Sequence, residues 1–154
     1  MRTIYRDTIT VYNRRPAAVR PPFPPPAGET RWDRTVIKGA LFGSGRRIRE
    51  TPEGASFGEQ SASVTIPAGS DQGGKTYVGP AVYAGLPEGD RPHWTIRTDK
   101  ANPDLIILGE GPEISGSYTA ADLEREYGDG RLMRPQAVRG DGKRGLPQWK
   151  VTGA

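Results

Sequence analysis

Glycine and proline interrupt this chain so often that only short secondary-structure elements fit between them. The 154 residues include 21 glycines and 15 prolines, and only 34% of the chain is hydrophobic. Residues 63–86 are typical: the run SVTI stops at Pro67, a glycine-rich turn follows, and a second apolar segment carries Tyr77 and Tyr83. This punctuation predicts a mainly β fold with long proline- and glycine-rich loops.

Runs of β-branched and apolar residues mark the predicted strands. Gly39 is expected to form a bulge or bend inside its strand. Residues 75–86 are expected to begin extended and to turn helical after Pro80, with Val82 and Tyr83 facing inward. The predicted strands are 8–12, 32–42, 61–66, 94–97, 105–108, 132–139 and 146–152.

One segment, 118–127, predicts a helix. Thr119 suits the N-cap, Asp122 lies three residues later as in a capping box, and Gly128 ends the helix. Together the elements predict a small β-barrel or sandwich in a single domain spanning 1–154, with the helix plugging one opening or packing on one side.

Two loops stand out from this framework. A proline-rich loop or arm is predicted over 14–31, and Phe23, Pro24 and Pro25 are its candidate docking residues; the alternative is a long excursion into solvent. A polar hairpin is predicted over 43–60, where Arg46, Arg47 and Arg49 are candidates for contacts with phosphates.

Charge is segregated along the sequence. Residues 1–50 carry a net charge of +7, residues 51–130 carry −8, and residues 131–154 carry +5. Either identical subunits meet head-to-tail through complementary surfaces, or the basic ends fold back over the acidic middle and pair internally.

No residue pattern predicts a reaction centre. The chain has no cysteine and a single histidine, His93, so a zinc site of the usual kind is not expected, and His93 suits a surface position or the start of a strand. Asp99, Asp104 and Glu110 flank strands and are interpreted as solubilising residues. We therefore expect no enzyme, no cofactor and no metal; a hydrolase with a carboxylate pair is the least favoured hypothesis.

No apolar run is long enough for a membrane span, and the N-terminus lacks the apolar core of a signal peptide. The default expectation is a cytoplasmic protein with no membrane partner.

The order of motifs resembles a family of small head–tail connector, or minor capsid, proteins of tailed bacteriophages. The resemblance covers most of the chain outside 14–30 and 43–60. It is carried by Ile9-Thr10-Val11-Tyr12-Asn13, Trp32 with Arg34 to Gly39, Ser63 to Pro67, Lys75 to Val78, Pro80 to Tyr83, Trp94-Thr95-Ile96, Ile107 to Glu110, the helix, and Gln148 to Gly153.

The resemblance implies a structural virion protein of the phage neck, assembled in the bacterial cytoplasm as a sixfold or twelvefold ring that closes the DNA-filled head. Its partners would be itself, the head-side adaptor and portal proteins, the tail terminator or tail tube proteins, and packaged DNA in loose contact. Arg46, Arg47 and Arg49 would then face the channel or a neighbouring subunit. The alternatives are a tail terminator ring of the same neck and a non-specific single-stranded nucleic-acid-binding β-barrel.

Overall fold

The computed structural model describes residues 5–15, 31–50, 56–86, 92–100, 103–115, 117–128, 130–140 and 148–154; residues 15, 31, 44–50 and 56–60 are described by their backbone alone. Within these ranges the chain forms nine strands and two helices. In order, they are β1 (Asp7–Arg15), β2 (Arg31–Glu50), β3 (Ser56–Pro67), β4 (Thr76–Tyr77), α1 (Pro80–Ala84), β5 (His93–Trp94), β6 (Leu105–Leu108), α2 (Ala120–Tyr127), β7 (Leu132–Met133), β8 (Pro135–Arg139) and β9 (Gln148–Gly153).

Seven strands form one sheet in the order β7-β6-β1-β2-β3-β9-β8, and β4 and β5 form a short parallel pair. The long strand β2 belongs to both halves of this sheet. Its residues 31–40 pair with β1, and its residues 41–50 pair with β3. The change occurs at Gly39, which is skipped in the register with β1 and has a φ of 91°. The predicted bulge is confirmed, and it is a corner where one strand passes between two half-sheets.

A second corner lies at Arg134, the single residue between β7 and β8. β7 pairs with β6 at one edge of the sheet, and β8 pairs with β9 at the other. Because β7 and β8 lie at opposite edges of the sheet and one residue separates them, the sheet must curl until its two edges meet at Arg134. The predicted mainly β fold is confirmed. No ladder joins β7 to β8 among the described residues, so the sheet is curled without being a closed barrel.

The main core lies between the two half-sheets. The inward positions of the strands alternate as expected for one buried face, and Trp94 and Ile96 add side chains from the segment after α1. Trp94 is completely buried, contacts the rings of Tyr77 and Trp149, and donates from Nε1 to Oε1 of Gln72 at 3.0 Å. The buried members are Ile9, Val11, Ile37, Ala40, Val64, Ile66, Trp94, Ile96, Ile106, Met133 and Val151.

Helix α2 packs on the outer face of β1 and β6, so that of the two predicted placements the helix has the one on the side of the sheet and not the one in an opening. Leu123 is its buried residue, and it lies against Tyr12, Leu105 and Ile107. The predicted capping box is present: the Thr119 hydroxyl accepts from the N–H of Asp122, and the Asp122 carboxylate accepts from the N–H of Thr119. These bonds satisfy N-terminal donors that an isolated helix leaves unpaired.

Three predictions of local structure are wrong. The single strand expected over 132–139 is two strands, β7 and β8, because the corner at Arg134 directs them to opposite edges of the sheet. Val82 was expected to face inward, but it is 59% exposed, because α1 has one inward position and Tyr83 takes it, donating its hydroxyl to Asp33 at 2.5 Å. The strand expected over 94–97 stops at Trp94. The backbone beyond it bonds to side chains instead of a strand: Thr95 bonds with Asn13, and the N–H of Arg97 donates to Asp104.

Candidate assembly interface

The structure describes one of the two groups of predicted site residues. Arg46, Arg47 and Arg49 lie in the outer half of β2, within the predicted hairpin of β2 and β3. Phe23, Pro24 and Pro25 lie outside the described residues. The 15-residue segment that contains them leaves and re-enters the sheet at Arg15 and Arg31, which are register partners. The two loops therefore originate at opposite ends of the 20-residue strand β2.

Among the described strands, β2 and β3 alone form the outer half of the hairpin. β1 reaches as far along β2 as the pair Asp7 and Ala40, and β9 reaches as far along β3 as the pair Gly153 and Ala62. Beyond these points β2 and β3 stay paired with each other as far as Glu50 and Ser56. We call residues 43–50 and 56–61 the β2–β3 ribbon. At about 3.3 Å per residue, its β2 strand is about 23 Å long.

The carboxylate of Asp7 marks the point where β1 stops supporting β2. Its Oδ2 accepts from the N–H of Phe42 at 2.9 Å, in the place of a further β1 carbonyl. Since backbone groups alternate in direction along a strand, the N–H groups of residues 44, 46, 48 and 50 point to the same side as that of Phe42, away from β3. No strand among the described residues pairs with that edge.

The other edge of the ribbon is open in the same way. Since the odd-numbered β2 residues point toward β3 and their register partners are the odd-numbered β3 residues, the even-numbered β3 residues point toward β9. Residues 56, 58 and 60 continue this alternation past the last β9 pair, and no described strand lies beside them. Within the described part of the chain, no strand pairs with either edge of the ribbon. Strand edges of this kind are templates for pairing with another chain.

The inner half of β2, by contrast, is covered on the side away from β1. The backbones of Lys38 and Asp71 exchange two hydrogen bonds, at 2.8 and 3.0 Å. The ammonium group of Lys75 donates to the carbonyl of Arg34 at 2.7 Å and to the hydroxyl of Thr35 at 3.0 Å. A loop therefore covers this edge of β2, whereas no described strand pairs with the edges of the ribbon.

Some basic residues of the two ends of the chain form ion pairs with acidic residues of its middle region within one subunit. Arg34 of the basic N-terminal region contacts Glu110 at 3.5 Å, and Arg134 of the basic C-terminal region forms an ion pair with Glu124. These pairs support the internal-pairing alternative for the groups around α2. In the ribbon, the register places Arg47 opposite Glu59.

Asp104 was interpreted from the sequence as a solubilising residue, and this is wrong: it is 1% exposed. Its carboxylate accepts from the side-chain amide of Asn13 at 2.9 Å and from the N–H groups of Arg14 and Arg97, each at 2.8 Å. Burial raises its pKa, and these hydrogen bonds oppose that rise. The carboxylate joins the end of β1 to the segment after β5, and its partners lie too far along the chain for spacing to identify them.

The other residues considered as catalytic or metal-binding candidates do not form a recognisable site among the described residues. His93 begins β5, as expected, and is half-buried. Within the described ranges, no three acidic, histidine or cysteine side chains are grouped to hold a metal ion, and no helix is long and apolar enough to cross a membrane. The ribbon is consequently the candidate site.

The chain matches no curated protein and no solved structure. A family model does match, and it extends over residues 4–154, so that it includes every strand and helix described above. The chain therefore belongs to that family, the family of unknown function DUF6751.

Proposed function

We propose that this protein is a structural subunit of a tailed-bacteriophage neck, and that it forms the homo-oligomeric ring that closes the DNA-filled head before the tail is attached. The order of motifs that resembles head–tail connector proteins supports this proposal. Each motif is part of the framework: for example, 9–13 belongs to β1, 63–67 to β3 and 148–153 to β9.

The β2–β3 ribbon is the observation that carries the proposal. An isolated two-stranded ribbon is marginally stable in water, and a sheet gains independent stability when three or more strands pair. A subunit with two open strand edges is suited to a repeating assembly, where each edge finds a neighbour. In a ring, complementary surfaces on each subunit bind the neighbouring subunits and thereby carry out the function of the protein.

The position of the ribbon also suits a neck ring, which contacts different proteins on its two sides. The segment 16–30 starts from one end of β2, and the ribbon forms the other end. One end would meet the portal and adaptor proteins, and the other would meet the tail terminator or the tail tube. In the ribbon, Arg46, Arg47 and Arg49 are accompanied by Glu50 and Glu59, so contact with passing DNA would be loose.

Shortening the ribbon tests this function. A variant in which an Asn-Gly turn replaces residues 46–60 joins Gly45 to Ser61, which are register partners, and leaves the rest of the sheet intact. We expect the unaltered protein to form sixfold or twelvefold rings in electron micrographs. We also expect that phage heads need this protein to retain their DNA. The shortened variant should fold, remain monomeric and leave heads open.

The control is Arg125→Ala, which changes an exposed residue of α2 and should assemble normally. Complete particles that form without this protein, or that contain it elsewhere than in the neck, would contradict the proposal. Salt-dependent binding of short single-stranded oligonucleotides by the monomer would favour the nucleic-acid alternative.

A further inference from the structure

We propose that the β2–β3 ribbons of neighbouring copies pair edge to edge, so that the open β2 edge of one copy bonds to the open β3 edge of the next. The occupant of each open edge is then a second copy of this chain. Successive ribbons would form one annular antiparallel sheet with two strands from each copy. The inference rests on the proposed ring and specifies how its subunits join.

Backbone geometry makes the two edges complementary. The β2 edge presents N–H and C=O groups at residues 44, 46, 48 and 50, and the β3 edge presents them at 56, 58 and 60. An antiparallel ladder uses every second residue, so donors and acceptors on these two edges match in spacing. Because β2 and β3 run in opposite directions, placing β3 beside the β2 strand of a rotated copy continues the antiparallel order.

Two unlike edges on each copy also determine the symmetry of the assembly. A contact between different surfaces is heterologous, and it closes into a ring when the rotation between copies divides a full turn. A contact of β2 with β2 would be isologous and would end at a dimer. Neither edge of the ribbon has a partner among the described strands, so a dimer through one edge would leave the other edge without a partner strand.

Charge favours the heterologous contact over the isologous one. The β2 strand of the ribbon carries Arg46, Arg47, Arg49 and Glu50, whereas residues 56–61 of β3 carry Glu59 and no basic residue. Pairing β2 with β3 of the next copy places each arginine-rich strand between two strands that lack arginine and lysine. Pairing β2 with β2 would place arginines across from arginines, and like charges directly opposite destabilise a sheet.

Single cysteines test this arrangement, since the chain has none of its own. A mixture of an Arg46→Cys protein and a Gln60→Cys protein can form a mixed disulfide only between different copies. We expect that mixed disulfide on oxidation, or the equivalent one with Gly58→Cys if neighbouring ribbons are shifted by two residues. Arg46→Cys oxidised alone should give no linked dimer above the level of Ala121→Cys, an exposed position on α2.

Proline provides a second test that does not depend on cross-linking. Arg46→Pro removes an N–H that points away from β3, so it spares the bonds within the ribbon while deleting one donor from the open edge. We expect Arg46→Pro to keep the melting temperature of the isolated subunit and to sediment as a monomer. Arg46→Ala, which loses the same charge but keeps the N–H, should still form rings.

The outcomes distinguish the two proposals. Rings that form without mixed disulfides at either position, or rings of Arg46→Pro, would overturn edge-to-edge pairing and leave the neck function standing. Self-linked Arg46→Cys dimers would also overturn it. Rings that show the mixed disulfide but are not needed to close heads would overturn the neck function alone.

Discussion

Replacing Asp104 with alanine is expected to lower the free energy of unfolding by about 4 kcal/mol. The substitution deprives three donors of their acceptor: the side-chain amide of Asn13 and the N–H groups of Arg14 and Arg97. A buried donor left unpaired costs about 1–3 kcal/mol. Denaturant unfolding at neutral pH, followed by tryptophan fluorescence, measures the effect.

Asp104→Asn is the matched comparison, because it keeps the shape of the side chain. An amide has one acceptor oxygen, so its NH2 group must face at least one of the donors that the carboxylate satisfied. We expect Asp104→Asn to cost less than the alanine variant, about 1–3 kcal/mol. Asp99→Asn, at an exposed acidic residue five positions away, should change stability little. Equal stability of Asp104→Ala and the unaltered protein would contradict the role assigned to the carboxylate.

The pH dependence of the same variants gives an independent readout. Burial raises the pKa of Asp104 above its ordinary value of 3.8, so the folded state binds this proton more tightly than the unfolded state does. The resulting stabilisation is fully present below pH 3.8 and is lost as the pH rises through the folded-state pKa. Asp104→Asn lacks this titration. The stability advantage of the unaltered protein over Asp104→Asn should therefore be largest at acidic pH and shrink toward neutrality.

Local features of the sequence were sufficient to predict most of the framework. The β-branched runs became β1, β2, β3 and β6, and the buried strand 105–108 was predicted with its exact bounds. Local signals also located the bulge at Gly39 and the capping box at Thr119. These features depend on neighbouring residues, whose chemistry the sequence displays directly.

What the sequence could not predict depends on contacts between distant segments. Asp104 lies 91 positions from Asn13, and no spacing rule connects them. Thr95 follows a strand-like pattern, but its backbone bonds to an asparagine side chain 82 positions away. The hairpin of 43–60 was predicted, whereas its open edges depend on where β1 and β9 end. The candidate site is therefore a property of the assembled sheet and not of a motif.

The close packing at the Arg134 corner predicts a second substitution that strongly lowers the stability of the protein. Gly153 lies directly against it, in the last pair of β9 with β3. A Cβ atom at Gly153 would overlap the carbonyl oxygen of Arg134 and would come within 3.0 Å of Cε of Met133. The overlap is with backbone that also exchanges two hydrogen bonds with Ala154, so the corner cannot shift without loosening them. Both half-sheets end at this corner.

Gly153→Ala is therefore expected to lower the free energy of unfolding by about 3 kcal/mol, combining about 1–3 kcal/mol of overpacking with weakened hydrogen bonds of about 1 kcal/mol each. Gly43→Ala is the matched control. It is also a strand glycine without a positive φ, and a Cβ there meets only the hydroxyl of Ser63, at an ordinary 3.6 Å. We expect Gly43→Ala to unfold within about 0.5 kcal/mol of the unaltered protein. If both variants unfold at the same denaturant concentration, the Arg134 corner is not the tight junction of the two half-sheets.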